Sequence, residues 1–183
     1  MSMLEEIKSE FEGITGIKKT TPISKERVKT WMQNQDIQVL GAACHLILDK
    51  RYYSRIEPQL TLEDYNGFLM HYYERCFHED PQGEWSDTRY EAGWALVNWF
   101  VHLWNDNSVP RKVLSKIKDW LAKIYKEGNE EIRTCIITAT LEHLFEHKDI
   151  AKYFSGWKKD STLKPAYDEA TGYAKHLRTE KGS

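Results

Sequence analysis

The sequence predicts an all-α fold, and three features of its 183 residues support that prediction. Apolar side chains recur at spacings of three and four along most of the chain, which is the pattern of amphipathic helices. Alternation with period two, bounded by hairpin turns, is not sustained anywhere. Ten glycines and five prolines leave few interruptions, and 40% hydrophobic with 30% charged residues is typical of a folded domain. We expect eight or nine antiparallel helices in one domain over residues 1–183, forming an irregular α-solenoid or a compact helical bundle.

The first predicted helix lies at the amino terminus, where Leu4, Ile7 and Phe11 share one helical face. A linker rich in lysine and threonine follows it, so residues 1–20 could be a helix and linker that attach loosely to the rest. Ser24 is then a candidate N-cap for the second helix because a serine hydroxyl can accept a bond from a free helix N–H.

The next predicted helices are separated by recognisable turn and cap signals. A turn-like sequence at residues 34–36 divides the second helix from the third, and we expect these two to form a hairpin. Thr61, with Asp64 three residues later, predicts a capping box. Ser86 is the candidate N-cap of an unusually aromatic helix. Its predicted buried stripe contains Tyr90, Trp94, Val97, Val101 and Trp104.

The carboxyl-terminal half has clearer start and stop signals. Ser108 followed by Pro110 is typical of a helix start, and Gly128 is typical of a helix end. The helix between them carries apolar residues on one face and lysines on the other. Three further segments with helical spacing lie around residues 132–144, 150–154 and 163–174.

The cysteines and the hydropathy pattern also indicate a cellular compartment. Cys44, Cys76 and Cys135 lie in apolar helical stretches, which predicts buried reduced thiols and not a disulfide framework. No apolar run reaches the roughly 18 residues of a membrane span. The amino terminus lacks the pattern of a secretory signal. We therefore expect a cytoplasmic protein without a membrane partner.

Negative charge is concentrated in one segment. Residues 57–107, the acidic segment, contain ten acids and two bases, a net charge of −8, so the remainder carries +6 because the whole chain is −2. A charge of this density attracts a cationic partner and repels nucleic acid. An ordinary solvated acidic face is the simpler interpretation. Aromatic residues in the same segment favour binding, because aromatic anchors surrounded by charge are typical of interface hot spots.

The candidate partner-binding residues follow from that pattern. Trp85 lies in a predicted loop and Trp99 lies off the predicted buried stripe, so these two tryptophans are the candidates for exposed contact. The full candidate surface comprises Glu63, Asp64, Glu79, Asp80, Glu84, Trp85, Asp87, Glu91, Trp99 and Asp106.

Other chemistries have weaker support. His143, Glu146 and His147 match H-x-x-E-H, in which two histidines and a third protein ligand hold zinc, so a zinc hydrolase is a minor alternative. No nucleophile elbow, phosphate-binding loop or dinucleotide fingerprint is present. Basic clusters occur at residues 18–29 and 111–126, but the pI near 6.4 and the absence of a nucleic-acid-binding module argue against nucleic acid. We expect a protein that is not an enzyme and needs no cofactor or metal.

Several runs carry a resemblance to a known family. They are residues 89–100 (RYEAGWALVNWF), 103–106 (LWND), 130–133 (EEIR) and 141–146 (LEHLFE). The chain from about residue 60 to 175 resembles a family of small, functionally uncharacterised, all-helical bacterial proteins. These are similar to immunity proteins, which are encoded beside polymorphic or contact-dependent toxins and neutralise the cognate toxin by binding it. The resemblance implies a protein partner and no catalytic residues.

The acidic segment and the family resemblance together lead to one hypothesis. A nuclease-type toxin is cationic because it binds phosphates, so clustered carboxylates and indole rings can occupy its substrate surface. We expect a protein-binding immunity protein for such a toxin. The alternative is a helical-repeat adaptor or regulator that binds another protein.

Overall fold

A computed structural model describes residues 1–11 and 21–181 and confirms the all-α fold. The helices are α1 (Met3–Phe11), α2 (Lys25–Met32), α3 (Ile37–Leu48), α4 (Lys50–Tyr53), α5 (Leu62–Glu79), α6 (Arg89–Asn105), α7 (Arg111–Glu127), α8 (Glu130–Cys135), α9 (Glu142–Leu144), α10 (Lys148–Tyr153) and α11 (Lys164–Lys181). A π-helical segment, Ile136–Leu141, joins α8 to α9, and a 3-10 helix, Ser155–Lys159, follows α10. Within the described ranges, no helix combines the length and hydropathy needed to cross a membrane.

The sequence contains no signal for the small β structure or for the grouping of the helices. Strands β1 (Ile23–Ser24) and β2 (Ile56–Glu57) pair in parallel, with Ile23 opposite Ile56, and both isoleucines are fully buried. The chain divides into two compact units, unit 1 (Met1–Thr88) and unit 2 (Arg89–Ser183). The strand pair belongs to unit 1.

Unit 1 is built around α3, which contacts α1, α2, α4 and α5. Helix α3 is apolar on nearly every side, so it can be surrounded in this way. Its N-cap is Asp36, whose carboxylate accepts a bond from the backbone N–H of Gln38. The largest side chains in the surrounding core are Trp31, Tyr72, Tyr73 and Phe77.

Helix α1 is fastened to unit 1 by packing and by a half-buried ion network. Ile7 is fully buried, and Glu10 is only 7% exposed. The Glu10 carboxylate accepts bonds from Arg55, at 2.6 Å, and from Arg27, at 3.2 Å, while Arg27 also pairs with Glu6. These contacts attach α1 to unit 1, whereas the linker half of the predicted loose attachment over residues 1–20 lies largely outside the described residues.

Unit 2 places α6, the π-helical segment and α11 around a second aromatic core. Phe100, Phe145 and Phe154 are fully buried there, with ring centroids 5.6 to 5.7 Å apart for the two pairs that involve Phe154. Gly93 of α6 lies so close to the π-helical segment that an added Cβ atom would be 2.8 Å from the Cβ of Ala139. The absence of a side chain at Gly93 therefore sets the approach of these elements.

Several sequence-level signals are confirmed. Thr61 and Asp64 form the predicted capping box at the start of α5. Gly128 follows the last residue of α7 and donates its N–H to the carbonyl of Ile124. All three cysteines are free and buried. Ser24 occupies the N-cap position of α2, but its side chain makes no capping bond.

Two predicted N-caps are wrong. Ser86 lies in the loop before α6, where its hydroxyl accepts a bond from the amide of Gln38, so it is not available as a cap. Ser108 also lies outside the helix, and its N–H and hydroxyl both donate to the carboxylate of Asp106. Pro110 takes the N-cap position of α7 instead.

Candidate protein-binding site

The loop at residues 80–88 of unit 1 lies directly on α3. An added Cβ atom at Gly41 would be 1.7 Å from the carbonyl oxygen of Trp85, so only a glycine allows this approach. The amide of Gln38 accepts a bond from the Trp85 N–H, at 3.1 Å, and the Tyr72 hydroxyl accepts one from the Asp87 N–H, at 2.8 Å. The loop is therefore fixed to the helix through its backbone.

Trp85 is held inside this arrangement and is only half-buried. Its ring lies 5.3 Å from the ring of Phe11, and the Lys8 ammonium lies 5.4 Å from its centroid. Its indole N–H is shielded from solvent and finds no hydrogen-bond partner among the described residues. The Trp85 ring is therefore partly exposed and not fully exposed as we expected, because Phe11 and Lys8 of α1 lie against it.

Asp64, one of the predicted contact acids, is neutralised by bases from α2. Its carboxylate lies 3.1 Å from the Lys25 ammonium and 3.3 Å from the Lys29 ammonium. The bond from Lys25 makes the largest contribution in lowering the pKa of Asp64 to about 2, and Thr61 and Lys29 lower it further.

Three other predicted contact acids of unit 1 lie close to bases. Arg75 pairs with Glu79 at 2.5 Å, Lys8 with Glu84 at 3.6 Å, and His45 lies 3.7 Å from Asp87. Glu63 is exposed, and Asp80 ends α5 with a left-handed backbone at φ 45°. The fold thus brings Lys8, Lys25 and Lys29 to two of the ten acids counted in the acidic segment, and it balances only part of that charge.

Helix α6 in unit 2 presents the face that the sequence predicted to be buried. Trp94 is 51% exposed and Tyr90 is 43% exposed, whereas Trp99 is only 5% exposed. The expectation that Trp99 is exposed is therefore wrong. The residues of α6 that face the core are Ala92, Gly93, Leu96, Trp99, Phe100 and Leu103.

Tyr90, Trp94 and Glu91 form the exposed aromatic site of unit 2. The two rings lie one helical turn apart, with centroids separated by 6.5 Å and planes inclined at 61°. The neighbouring Glu91 is exposed. Aromatic faces and a carboxylate together can bind an ammonium or guanidinium group.

Asp106, the last predicted contact acid, is exposed beyond the other end of α6, and its bonds from Ser108 lower its pKa.

The buried thiols and phenols of unit 1 offer no reactive group to a ligand. Burial raises the pKa of Cys44 well above its ordinary value and that of Cys76 to about 12. It also raises the pKa of Tyr72. Deprotonation of these groups would leave uncompensated charge in an apolar core, so they remain neutral.

The H-x-x-E-H motif does not form the arrangement that zinc requires. Helix α9 ends at Leu144, and His147 lies beyond it in an extended conformation. The two histidines are therefore not on successive turns of one helix. His143 Nδ1 instead lies 3.3 Å from Glu146 Oε1. In the part of the chain that the structure describes, no group of three or more His, Cys, Asp or Glu is placed to hold a metal.

An open cavity of about 500 Å³ lies beside α7, next to the buried ring of Trp157. Three lysines line it together with three acids, and one of the ion pairs, Lys126 with Asp160, measures 2.5 Å. Because the charges balance, the lining has no preference for an anionic ligand.

No family model, curated protein or solved structure matches the chain.

Proposed function

We propose that this protein is a protein-binding immunity protein that neutralises a cationic toxin domain. Its contact surface would centre on the exposed aromatic site of α6. The observation that carries the proposal is the exposure of two large aromatic rings, Trp94 at 51% and Tyr90 at 43%, on a well-formed helix. This surface replaces the loop around Trp85, whose ring is only partly exposed because Phe11 and Lys8 of α1 lie against it.

The chemistry of the site suits a cationic protein. Trp and Tyr are enriched among residues that dominate binding energies. Their ring faces attract lysine and arginine side chains, and Glu91 adds a carboxylate beside them. A nuclease-type toxin presents such side chains because its own substrate is a phosphate chain. An inhibitor that binds them competes with the nucleic acid.

The test combines binding with protection. The product of the neighbouring gene is titrated with the wild-type protein, with Y90A/W94A and with Y173A, and survival of cells that express the toxin is scored. Tyr173 is a matched control because it is also an exposed aromatic residue of unit 2, at 38%. We expect Y90A/W94A to weaken binding by about tenfold or more and to abolish protection, and Y173A to behave as wild type.

Two results would contradict different parts of this proposal. If Y90A/W94A protects as well as wild type, the site is wrong, although the immunity function stands. If the wild-type protein neither binds that toxin nor protects from it, the immunity function is wrong and the adaptor alternative takes its place. Circular dichroism of the variants establishes that they remain folded.

A further inference from the structure

Two cations of α7 lie against aromatic rings at the surface of unit 2. The Arg111 guanidinium is 4.3 Å from the ring centroid of Trp104, and the Lys118 ammonium is 4.3 Å from that of Tyr153. The two rings contact each other edge to face, with centroids 5.2 Å apart. These four residues, which we call the cation–aromatic cluster, join α6, α7 and α10.

The rings of this cluster are fixed by their own hydrogen bonds. The Trp104 indole N–H donates to the carboxylate of Asp149 at 2.6 Å. The Tyr153 and Ser115 hydroxyls are 2.8 Å apart. Both rings are half-buried. A cation that rests on a fixed ring has less freedom to lose when it binds a ligand.

In the part of the chain that the structure describes, the two cations of the cluster have no carboxylate within 4 Å. Among the described residues, no acid pairs with any of six bases on α7 and α10, namely Arg111, Lys112, Lys116, Lys118, Lys148 and Lys152. Other bases of unit 2 do have such partners, as with Arg89 and Glu131 and with Lys126 and Asp160. Unit 2 as a whole carries 16 bases and 13 acids, a net charge of +3. The unpaired charge of this face is therefore positive.

We propose that the cation–aromatic cluster binds an acidic segment of a partner protein. Arginine binds carboxylates through a rigid fork of donors, and Trp, Tyr and Arg are the residue types most enriched in interface hot spots. The cluster contains all three, and the neighbouring lysines add attraction toward further carboxylates.

Two observations favour an acidic protein over a nucleic acid. The cations of the cluster lie against the two rings, so those ring faces are not free to stack on bases. Asp119 and Asp149 are exposed among the basic residues and would repel a continuous phosphate chain. An acidic peptide can avoid them, because its carboxylates lie on flexible side chains, whereas the phosphates of a nucleic acid are part of its backbone.

Trp104 lies on α6 ten residues beyond Trp94, which at about 100° per residue places the two side chains about 80° apart around the helix, so the cluster is a separate surface from the exposed aromatic site. The inference does not rest on the proposed function. It requires an acidic ligand, whereas the exposed aromatic site suits a cationic one.

The experiment measures binding of a fluorescent oligoglutamate peptide to the full-length protein by anisotropy at low ionic strength. The variant R111Q/K118Q removes two charges while keeping much of the packing on the rings. The control K50Q/K175Q removes the same charge at exposed positions outside the cluster. We expect the peptide to bind wild type and the control alike, and R111Q/K118Q to bind about tenfold more weakly. Y90A/W94A should bind the peptide as wild type does.

A single-stranded oligonucleotide of equal charge separates the two kinds of polyanion. Weaker binding of the oligonucleotide than of the peptide supports the proposal. It is overturned if the oligonucleotide binds as well as the peptide or better, if the peptide does not bind wild type, or if R111Q/K118Q binds the peptide as tightly as the control.

Discussion

The carbonyl oxygen of Trp85 lies almost where the Cβ atom of an alanine at position 41 would be, 1.7 Å from it. Gly41 thereby allows the backbone of the loop to rest on α3, and the bonds that the Trp85 and Asp87 N–H groups donate to Gln38 and Tyr72 depend on that approach. A helix interior is an unfavourable place for glycine, so its presence at this position has a packing reason.

We expect Gly41→Ala to lower the free energy of unfolding by about 1 to 3 kcal/mol, because the loop must shift away from the helix. Gly67→Ala is the matched control, since Gly67 is in α5 and an added Cβ atom there meets nothing within 4 Å. That control should gain about 0.5 to 1 kcal/mol of stability. Urea unfolding measures both, and equal stability gains in the two variants would show that the contact at Gly41 is unimportant.

The roles of single tryptophans show where sequence reasoning stops at this scale. Trp85 was predicted to be exposed because loops lie at surfaces, but Phe11 and Lys8 of α1 lie against its ring and leave it half-buried. Trp99 was predicted to be exposed and is buried, whereas Trp94 was predicted to be buried and is exposed. Residue type predicted that these side chains matter for packing or binding, whereas their exposure depends on partners distant in the sequence.

Asp64, in the first turn of α5, joins that helix to α2 through ion pairs with Lys25 and Lys29. The capping box of Thr61 and Asp64 could be predicted because both partners lie within one turn. The contacts of Asp64 with Lys25 and Lys29 could not, because about 35 to 40 residues separate the partners and their meeting depends on the packing of α2.

The pairing of Asp64 makes the stability of the protein sensitive to acid. Its folded pKa of about 2 is below the ordinary value of 3.8, so its contribution is present above about pH 4 and is lost as the pH falls toward 2. Asp64→Asn should therefore be less stable than wild type at pH 7, and the difference should shrink as the pH approaches 2. Denaturant unfolding at both pH values checks this.

Glu63→Gln is the control for that comparison, because Glu63 is the exposed neighbour in the same helical turn. Its unfolding free energy should follow wild type at both pH values. A deficit of Asp64→Asn that stayed constant from pH 7 to pH 2 would contradict the assigned role of the Lys25 and Lys29 pairs.

The orientation of α6 was the main error at the level of elements. Its spacing predicted a helix correctly, but the helix is apolar on more than one side, so periodicity did not define the buried face. The true core face includes Ala92 and Gly93, whose small size permits close packing on the π-helical segment. Small residues contribute little to a hydrophobic stripe, and a sequence pattern therefore undervalues them.

The charge count along the sequence is correct, but it does not show which of the charges are paired in the folded protein. Unit 1 holds 15 acids and 10 bases, a net charge of −5, yet Lys8, Lys25 and Lys29 each lie within 4 Å of an acid from its later part. In unit 2, six bases of α7 and α10 have no acid within 4 Å among the described residues, whereas Lys123 and Lys126 of α7 do. A linear window sums charge without showing which opposite charges the fold joins.

The three thiols provide a test of packing across the whole molecule. All three side chains are buried, and burial raises the pKa of Cys44 and Cys76, so neither attack by reagent nor formation of thiolate is favoured. We expect no thiol to react with Ellman's reagent in the native protein near pH 8, and all three to react in urea. The control K175C adds a thiol at an exposed position and should react at once. Rapid native reaction of the wild-type protein would contradict the described core.

From Glu130 to Leu144, the helical path contains the π-helical segment, which accommodates about one residue more than an α-helix of equal length. In an uninterrupted α-helix, Ile132 and Leu144 would point about 120° apart, and the extra residue reduces this to about 20°. Both are buried in unit 2. In a homologous chain, a one-residue gap at this point would mark a change of helical phase and not a shorter loop. An alignment that ignored it would exchange interior and surface positions throughout the following turn.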